Sequence, residues 1–298
     1  MVSNFEGKAR AFIQIQNGCN HRCTFCTIPY GRGNSRSAPL SLITSQIAQL
    51  MRDGYQEFVL TGVDITDYGL DLPGTPTLGQ TVRRLLEILP DLKRLRLSSL
   101  DPSEIDTDLW DLIAHEPRLL PHFHLSLQSG DDLVLKRMKR RHLRHHVFEF
   151  LDRVRIARPD AVIGADIIAG FPTETDEMFE NTRDIVKKLD LLHVFPFSPH
   201  DNTPASKMPQ VPRAIIKERA ALLRMEAQEC LQRALERFVG QEGNLLIERA
   251  ENGILYGKTD HYLSCTMICD DESLVGQVVQ VKISRRGDGV LIGEILEL

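Results

Sequence analysis

Six apolar runs of strand length alternate with longer stretches of helical periodicity through the first two thirds of the chain. The runs cover residues 11–16, 57–61, 93–98, 122–128, 161–168 and 191–197. Between them, residues 40–51, 78–89, 104–115, 142–157 and 176–189 space their apolar positions three and four apart, the repeat of an amphipathic helix. Repeated strand–helix units imply an α/β fold with a parallel sheet and right-handed crossovers. Six units fall short of the eight that close the usual barrel. The pattern therefore predicts a partial (β/α)6 barrel, with a doubly wound sheet as its competitor. A long helix follows over 213–238, with Ile216, Ala220, Leu223, Ala227, Cys230, Ala234 and Phe238 at helical spacing. After Gly240 come short alternating runs at 245–247, 254–258, 263–269, 278–283 and 290–296, punctuated by Gly, Asn and Asp. That change of period predicts a small all-β barrel. The expected domains are residues 1–236 and 237–298.

The strand runs carry polar residues where a covered parallel strand should not. Along 122–128, Phe123, Leu125 and Leu127 fall on one face and His124, Ser126 and Gln128 on the other. The first run separates Ile13 and Ile15 from Gln14 and Gln16, and the third separates Leu95 and Leu97 from Arg94, Arg96 and Ser98. Strands covered by helices on both faces are apolar on both. The polar faces thus predict a lumen that holds something polar, and edge strands facing water would give the same pattern.

Composition changes this picture little. The 298 residues include 36 Lys+Arg and 41 Asp+Glu, a net charge of −5, with 42% hydrophobic residues, which excludes a disordered or collagen-like chain. No apolar run reaches the roughly 18 residues of a membrane span, so no membrane partner is expected. Residues 1–8 show no apolar leader core. Six cysteines in so long a chain are too few for a disulfide scaffold, so the expected location is the reducing cytoplasm. Charge is unevenly spread: 136–158 carries a net +7, 1–40 a net +4, and 241–298 a net −5. In that last segment Lys282, Arg285 and Arg286 form the only basic cluster. The two positive stretches are candidate polyanion surfaces, although a charge run is commonly a solvated helix face.

Three cysteines crowd into eight residues after the first strand, in Asn17-Gly18-Cys19-Asn20-His21-Arg22-Cys23-Thr24-Phe25-Cys26. The spacing C-x3-C-x2-C sets three soft thiolates at the carboxyl end of a strand, where α/β folds place their sites. A structural zinc site needs a fourth ligand, which here would be His21, Cys230, Cys265 or Cys269. Cys230 lies on the apolar stripe of the long helix, and Cys265, Met267 and Cys269 alternate on one strand face. All three cysteines therefore read as buried core. Three thiolates suit a cubane iron–sulfur cluster with one iron left open.

This loop, including Phe25 before its last cysteine, resembles the signature of the radical S-adenosylmethionine (SAM) superfamily. The resemblance implies a 4Fe-4S cluster on Cys19, Cys23 and Cys26, catalytic as well as metal-binding. Its open iron would chelate SAM, and one electron would cleave SAM to a deoxyadenosyl radical. Phe25 is expected near the adenine. Further stretches are similar to the methylthiotransferases, which insert sulfur at a C–H bond and methylate it. They are Cys26-Thr27-Ile28-Pro29-Tyr30-Gly31-Arg32-Gly33, Leu60-Thr61-Gly62-Val63-Asp64-Ile65-Thr66-Asp67-Tyr68-Gly69 and Arg96-Leu97-Ser98-Ser99-Leu100-Asp101-Pro102. With them stand Leu125-Ser126-Leu127-Gln128-Ser129-Gly130, Met138-Lys139-Arg140 and Asp166-Ile167-Ile168-Ala169-Gly170-Phe171-Pro172-Thr173-Glu174-Thr175. His193-Val194-Phe195-Pro196-Phe197-Ser198 most resembles the bacterial branch that modifies threonylcarbamoyl-adenosine beside the tRNA anticodon.

That branch implies further roles. Thr61 and Gly62 would support the methionyl amine, and Ser98, Gln128 and Asp166 would meet ribose, carboxylate or substrate. Gly170 would offer a backbone edge to the adenine. Local loop capping is the plainer reading of Ser98, Gln128 and Asp166. For Gly170 it is a strand-to-helix turn, with Thr173 or Thr175 as N-cap. The C-terminal barrel would be a TRAM domain gripping RNA. The implied partners are tRNA and a reductant such as flavodoxin or ferredoxin, with no DNA.

There are two departures from the family pattern. The family's Ser-x-Arg-x-Gly-Thr-x-Ala is Ser198-Pro199-His200-Asp201-Asn202-Thr203-Pro204-Ala205 here, so a titratable imidazole replaces an always-charged bidentate group. The family also has an N-terminal domain with three more cysteines and a second 4Fe-4S cluster, a pattern that Cys230, Cys265 and Cys269 do not reproduce. This chain is expected to supply the SAM-cleaving and RNA-gripping parts. Methylthiolation of a ribosomal-protein side chain, and an RNA-binding remnant that cleaves SAM without transferring sulfur, are the alternatives.

Overall fold

Six parallel strands carry the first part of the fold: β1 (Arg10–Gln14), β2 (Glu57–Thr61), β3 (Leu95–Leu97), β4 (His122–Gln128), β5 (Val162–Ala169) and β6 (Leu191–Pro196). The computed structural model describes residues 9–297, and residues 1–8, read above for a leader, lie outside the described residues. β1, β2 and β3 pair in that order, as do β4, β5 and β6. Single bridges at Leu95–Leu119 and Leu100–Leu125 join the halves. There the Leu100 N–H donates to the His124 carbonyl at 2.8 Å and the Ser126 N–H to the Leu100 carbonyl at 2.9 Å. Spatial order follows chain order throughout, which excludes the doubly wound sheet, whose order reverses at a switch point. Among the described residues β1 pairs only with β2 and β6 only with β5, so the barrel is open.

Helices α1 (Leu40–Arg52), α2 (Leu78–Ile88), α3 (Thr107–His115), α4 (Asp132–Met138), α5 (Arg144–Ala157) and α6 (Asp176–Val186) cover the outer face. Side chains on that face, such as Ile13, Leu60, Phe123, Leu125 and Ile163, pack with Ile47, Val82, Leu109 and Phe150 of the helices in one core. The core is therefore a shell between strands and helices, and the opposite strand faces are left to the lumen. The periodicity missed α4, whose seven residues are too short to show a repeat. Asp131 caps it, accepting from the Leu133 and Val134 N–H groups at 2.9 and 3.0 Å. Thr175 is the N-cap of α6, its hydroxyl accepting from the Met178 N–H.

Helix α7 (Arg213–Glu236) packs along β5 and β6 and leads into β7 (Glu242–Glu251), β8 (Ile254–Thr259), β9 (Ser264–Ile268), β10 (Val278–Arg286) and β11 (Leu291–Glu297). These close into a barrel in the order β8-β9-β11-β10-β7. Leu245, Ile247, Leu255, Cys265, Met267, Val281 and Leu291 fill it. Cys230 is buried in α7. Cys269, expected in the core, is only half-buried, because β9 ends at Ile268 and the alternation ends with it.

At the floor of the open barrel, Arg94 and Arg96 of the polar strand face join a buried ionic network. Glu57, fully buried at the start of β2, accepts from Arg10 Nε at 2.7 Å, Arg94 Nη2 at 2.8 Å and Arg96 Nε at 2.8 Å. Arg10 also reaches Glu248, and Arg94 reaches Asp260. Arg96 donates to the carbonyls of Thr259 and Asp260 at 2.9 and 2.8 Å. The C-terminal barrel thus docks beneath β1–β3 and supplies two of the carboxylates that balance three buried guanidinium groups. Burial alone would raise the Glu57 pKa, but Arg96, Arg10 and Arg94 together lower it to about 2.

Candidate functional site

The three clustered cysteines lie on the loop that follows β1. A two-residue strand, Gln16–Asn17, pairs with Arg36–Ser37 and closes the base of the loop, with the Cys19 N–H donating to the Gly33 carbonyl at 3.1 Å. Gly18 has φ +74°, and a Cβ there would lie 2.1 Å from the Asn34 carbonyl oxygen, so only glycine fits. The far side is tied to the end of α4: the Thr24 N–H donates to the Met138 carbonyl at 3.0 Å, and its hydroxyl to the Arg137 carbonyl at 2.8 Å. Phe25 meets Phe171 edge-on, with ring centroids 6.4 Å apart.

Gln16 holds this loop to the next one, a role the sequence reading missed. Its Nε2 donates to the Gly18 carbonyl at 2.7 Å and to Ser35 Oγ at 2.9 Å. Its Oε1 accepts from the Val63 and Asp64 N–H groups, each at 2.9 Å. Both donors and both acceptor sites of one buried amide are used. Gly62 sits so close that a Cβ would lie 2.8 Å from the carbonyl and side-chain oxygens of Gln16. The only sequence signal was its place on the polar face of the first strand. Replacing Gln16 by Leu is expected to cost roughly 2–3 kcal/mol, because buried partners lose their hydrogen bonds. Urea denaturation would measure that loss, and iron content after reconstitution would fall with it.

The cysteines are free and half-buried. Burial pushes the Cys19 thiol up to about 12 and raises that of Cys26. Such thiols keep their protons at neutral pH until a metal takes the proton's place. Cys19 donates to Asp64 at 3.5 Å and accepts the His21 N–H at 3.3 Å, while Arg140 Nη1 lies 3.7 Å from Cys23 Sγ. His21, the nearby alternative fourth ligand, is committed elsewhere. Its Nε2 meets Asp64 at 3.2 Å and Asp67 at 3.0 Å, and these carboxylates raise its pKa to about 9. To ligate a metal, His21 would have to give up both that proton and its carboxylate contacts. Cys230, Cys265 and Cys269 stand on α7 and the C-terminal barrel. The donor set is therefore three thiols on one loop, which fits a cluster with one iron left for an external ligand better than a closed zinc site.

The other predicted residues fall into two groups. Thr61 ends β2, with its carbonyl accepting from the Ile15 N–H at 2.9 Å, and Gly62 follows it at the cysteine loop. Gln128 ends β4 with φ +68°. Gly170 ends β5 with φ +73°, its N–H donates to Glu174 Oε2 at 3.0 Å, and Ile216 of α7 covers it. Ser98 and Asp166 instead line a cavity of about 630 Å³ in the lumen. His124 Nε2 and His193 Nδ1 both meet one oxygen of Asp166 there, at 3.0 and 3.2 Å. Burial would raise the Asp166 pKa, but the two imidazoles hold it well below the usual carboxylate range, and Asp166 in turn raises that of His193. Only the polar alternation of 122–128 pointed to His124.

Part of the basic run at 136–158 is neutralised inside the fold. Arg140 donates to Asp101 at 2.9 Å and to the Ser126 carbonyl at 2.8 Å. Arg141 pairs with Asp64, Asp67 and Glu104, and Arg144 with Asp184. His142 is buried against Asp101 and the Leu127 carbonyl. These charges support the cysteine loop and α4, while Lys136, Lys139 and Arg153 of the same run are exposed. In the C-terminal segment Arg286 is likewise paired, with Glu236. By contrast Arg22, Arg32 and Arg36 are exposed around the cysteine loop and donate to neutral oxygens of Cys19, His21, Asn17, Arg32 and Asn34. Among the described residues no helix is long and apolar enough to cross a membrane.

Comparison with known proteins places this geometry. Residues 13–186 match the family model of the Radical SAM superfamily. The threonylcarbamoyladenosine tRNA methylthiotransferase MtaB of Rickettsia prowazekii (strain Madrid E) is 52% identical over 285 residues, covering 95% of this chain and 66% of that protein. The tRNA-2-methylthio-N(6)-dimethylallyladenosine synthase of Rickettsia akari (strain Hartford) is 35% identical over 295 residues, covering 97% of this chain and 66% of that protein. The curated relatives it matches are longer, and the chain spans 60% to 70% of their length. Among solved structures, the radical S-adenosylmethionine methyltransferase TsrM of Kitasatospora setae, with cobalamin and a [4Fe-4S] cluster bound, shares the fold. Its TM-score is 0.54 at 18% identity, over 66% of this chain and 38% of that one.

Proposed function

Because the chain belongs to the radical SAM superfamily and to its methylthiotransferase family, we propose that it forms the SAM-cleaving and RNA-gripping parts of a tRNA methylthiotransferase. Its substrate on this reading is threonylcarbamoyl-adenosine next to the anticodon, with the methylthio group going to C2 of the base. The cysteine loop is the observation that carries the reading. Cys19, Cys23 and Cys26 would hold a 4Fe-4S cluster, which when bound takes SAM on its open iron and supplies the electron that breaks a carbon–sulfur bond.

The chain's own residues do the positioning. Gln16 and Gly18 fix the loop, Arg140 sets a cation against Cys23, and Thr61 and Gly62 border the place where the methionyl end would lie. Ser98, His124 and Asp166 turn polar groups into the lumen beneath. Exposed Arg22, Arg32 and Arg36 around the loop, which form no ion pair among the described residues, suit an approaching polyanion, since phosphate contacts position RNA without reading sequence. The C-terminal barrel itself is acidic, so its part in RNA binding would rest on shape and on Lys282 and Arg285 more than on bulk charge. The similarity to the Rickettsia prowazekii relative supports the choice of substrate.

The test is mass spectrometry of tRNA nucleosides from a strain deleted for the gene. The methylthio group is expected to vanish from threonylcarbamoyl-adenosine and to return with the intact gene. Unchanged methylthio-adenosines would turn the reading towards a protein substrate.

A further inference from the structure

The lumen cavity has a charge imbalance that the cysteine loop does not explain. Its wall includes Arg96, Arg224, Lys258, His124 and His193 against a single carboxylate, Asp166, with His122 beside them held uncharged by burial. Arg96 is balanced from below by Glu57, and Asp166 is shared by two imidazoles. Among the described residues Arg224 and Lys258 form no ion pair. Arg224 donates to the Val194 carbonyl at 3.3 Å and Lys258 to Ser264 Oγ at 2.9 Å.

The basic groups also converge. Tyr262 stacks on His122 with centroids 4.8 Å apart, His122 lies 6.4 Å from His124, and His124 lies 5.0 Å from His193. The Lys258 ammonium is 4.8 Å from the Tyr262 ring.

Two buried polar atoms of this wall have no protein partner among the described residues: Ser98 Oγ and His122 Nε2. His122 is only 8% exposed. A buried polar group without a partner costs about 1–3 kcal/mol, so an occupant that hydrogen-bonds to them is favoured over one that does not. The cavity asks for an anion with further hydrogen-bonding groups, beside apolar walls formed by Leu97, Leu191 and Leu231.

We propose that this cavity is the pocket for the N6 substituent of the modified adenosine, and that it selects a substituent ending in a free carboxylate, an N-carbamoyl amino acid. The assignment rests on the reading above that the protein acts on an N6-modified adenosine. His193, Lys258 and Arg224 provide the cationic wall, while Ser98 Oγ and His122 Nε2 meet the polar atoms of the substituent. A dimethylallyl group has no polar atom to offer, and would leave these groups buried and unpaired. Sites built to hydrogen-bond a substrate reject analogues lacking the bonding group far more strongly than apolar pockets reject a size mismatch.

An RNA phosphate would satisfy the same cations, so the experiment separates the two anions. Three anticodon stem-loops, identical except at N6, carry the threonylcarbamoyl acid, its methyl ester or a dimethylallyl group, and all have the same phosphates. Binding to the anaerobically reconstituted full-length protein is measured for each. The acid is expected to bind about ten- to a hundredfold tighter than the ester, as for hydrogen bonds to a charged group. His193→Gln, at a mostly exposed side chain, and Lys258→Met should each shrink that ratio several-fold. Equal binding of acid and ester overturns the pocket assignment and leaves the methylthiotransferase reading standing. An equal loss for all three RNAs in the variants assigns the cations to phosphate and overturns it as well. If none of the three binds better than an unmodified stem-loop, the pocket and the substrate reading both fall.

Discussion

The Cys23→Ala protein, reconstituted anaerobically with iron and sulfide, is expected to retain little of the iron that the unchanged chain holds and to release no deoxyadenosine from SAM. The unchanged chain should bind about four irons, one cubane cluster. Removing one of three thiolates leaves two ligands for a cluster that already has an open iron, and a loop bridged by two anchors cannot set that iron's position. Cys19→Ala and Cys26→Ala should behave alike, because all three thiols sit on one loop whose base is fixed by Gln16 and Gly18. Cys230→Ala is the control. Its thiol is buried in α7 near the Val186 carbonyl, and its loss should leave iron content unchanged. Iron content and deoxyadenosine are two separate readouts. Full iron binding after loss of all three loop cysteines would show that the cluster lies elsewhere.

The second large effect is on stability. Glu57→Gln is expected to destabilise the protein by about 3–5 kcal/mol, the usual cost of removing one partner from a buried ionic network. Arg10 would then keep Glu248, Arg94 would keep Asp260, and Arg96 would keep only the carbonyls of Thr259 and Asp260, all of them from the C-terminal barrel. Urea denaturation measures the loss, and the C-terminal barrel should become the first part to loosen. The pH dependence has a definite sign. The folded pKa of Glu57 is about 2, below its ordinary 4.5. Its charge therefore contributes stability at pH values above about 4.5, and that contribution fades as pH falls from 4.5 towards 2. The shift corresponds to roughly 3 kcal/mol. Glu57→Gln should flatten stability between those pH values. A loss below about 1 kcal/mol would mean that the three arginines find adequate partners without Glu57.

Much of the fold was legible because its periods are local. Strand alternation and helix repeats each depend on neighbours within a few residues, so 122–128 could be divided correctly into a core face and a lumen face. The cysteine spacing was legible for the same reason, since cluster ligands on one loop need no long-range contact to be recognised. Helix α4 escaped because it is shorter than its own repeat pattern. The run at 136–158 was a candidate cationic surface, but a charge count cannot see the acids at Asp64, Asp67, Asp101 and Asp184 that meet Arg140, Arg141 and Arg144 across the fold. Arg96 was legible as a lumen residue, but nothing near it in sequence shows that a barrel some 160 residues later supplies its carbonyl partners.

By itself, then, the order of residues determined the strand–helix alternation, the small terminal barrel and the three-thiol loop, all of which follow from short-range pattern and ligand chemistry. Tertiary structure decided which charges are spent and which remain available. It committed His21 to two carboxylates, and gave the four hydrogen-bonding positions of Gln16 to two loops. It also gathered His122, His124, His193 and Lys258 around one cavity from three different strands. The reason is physical: an ion pair or a buried hydrogen bond is set by distance in space and by exclusion of water, and neither is encoded in spacing along the chain.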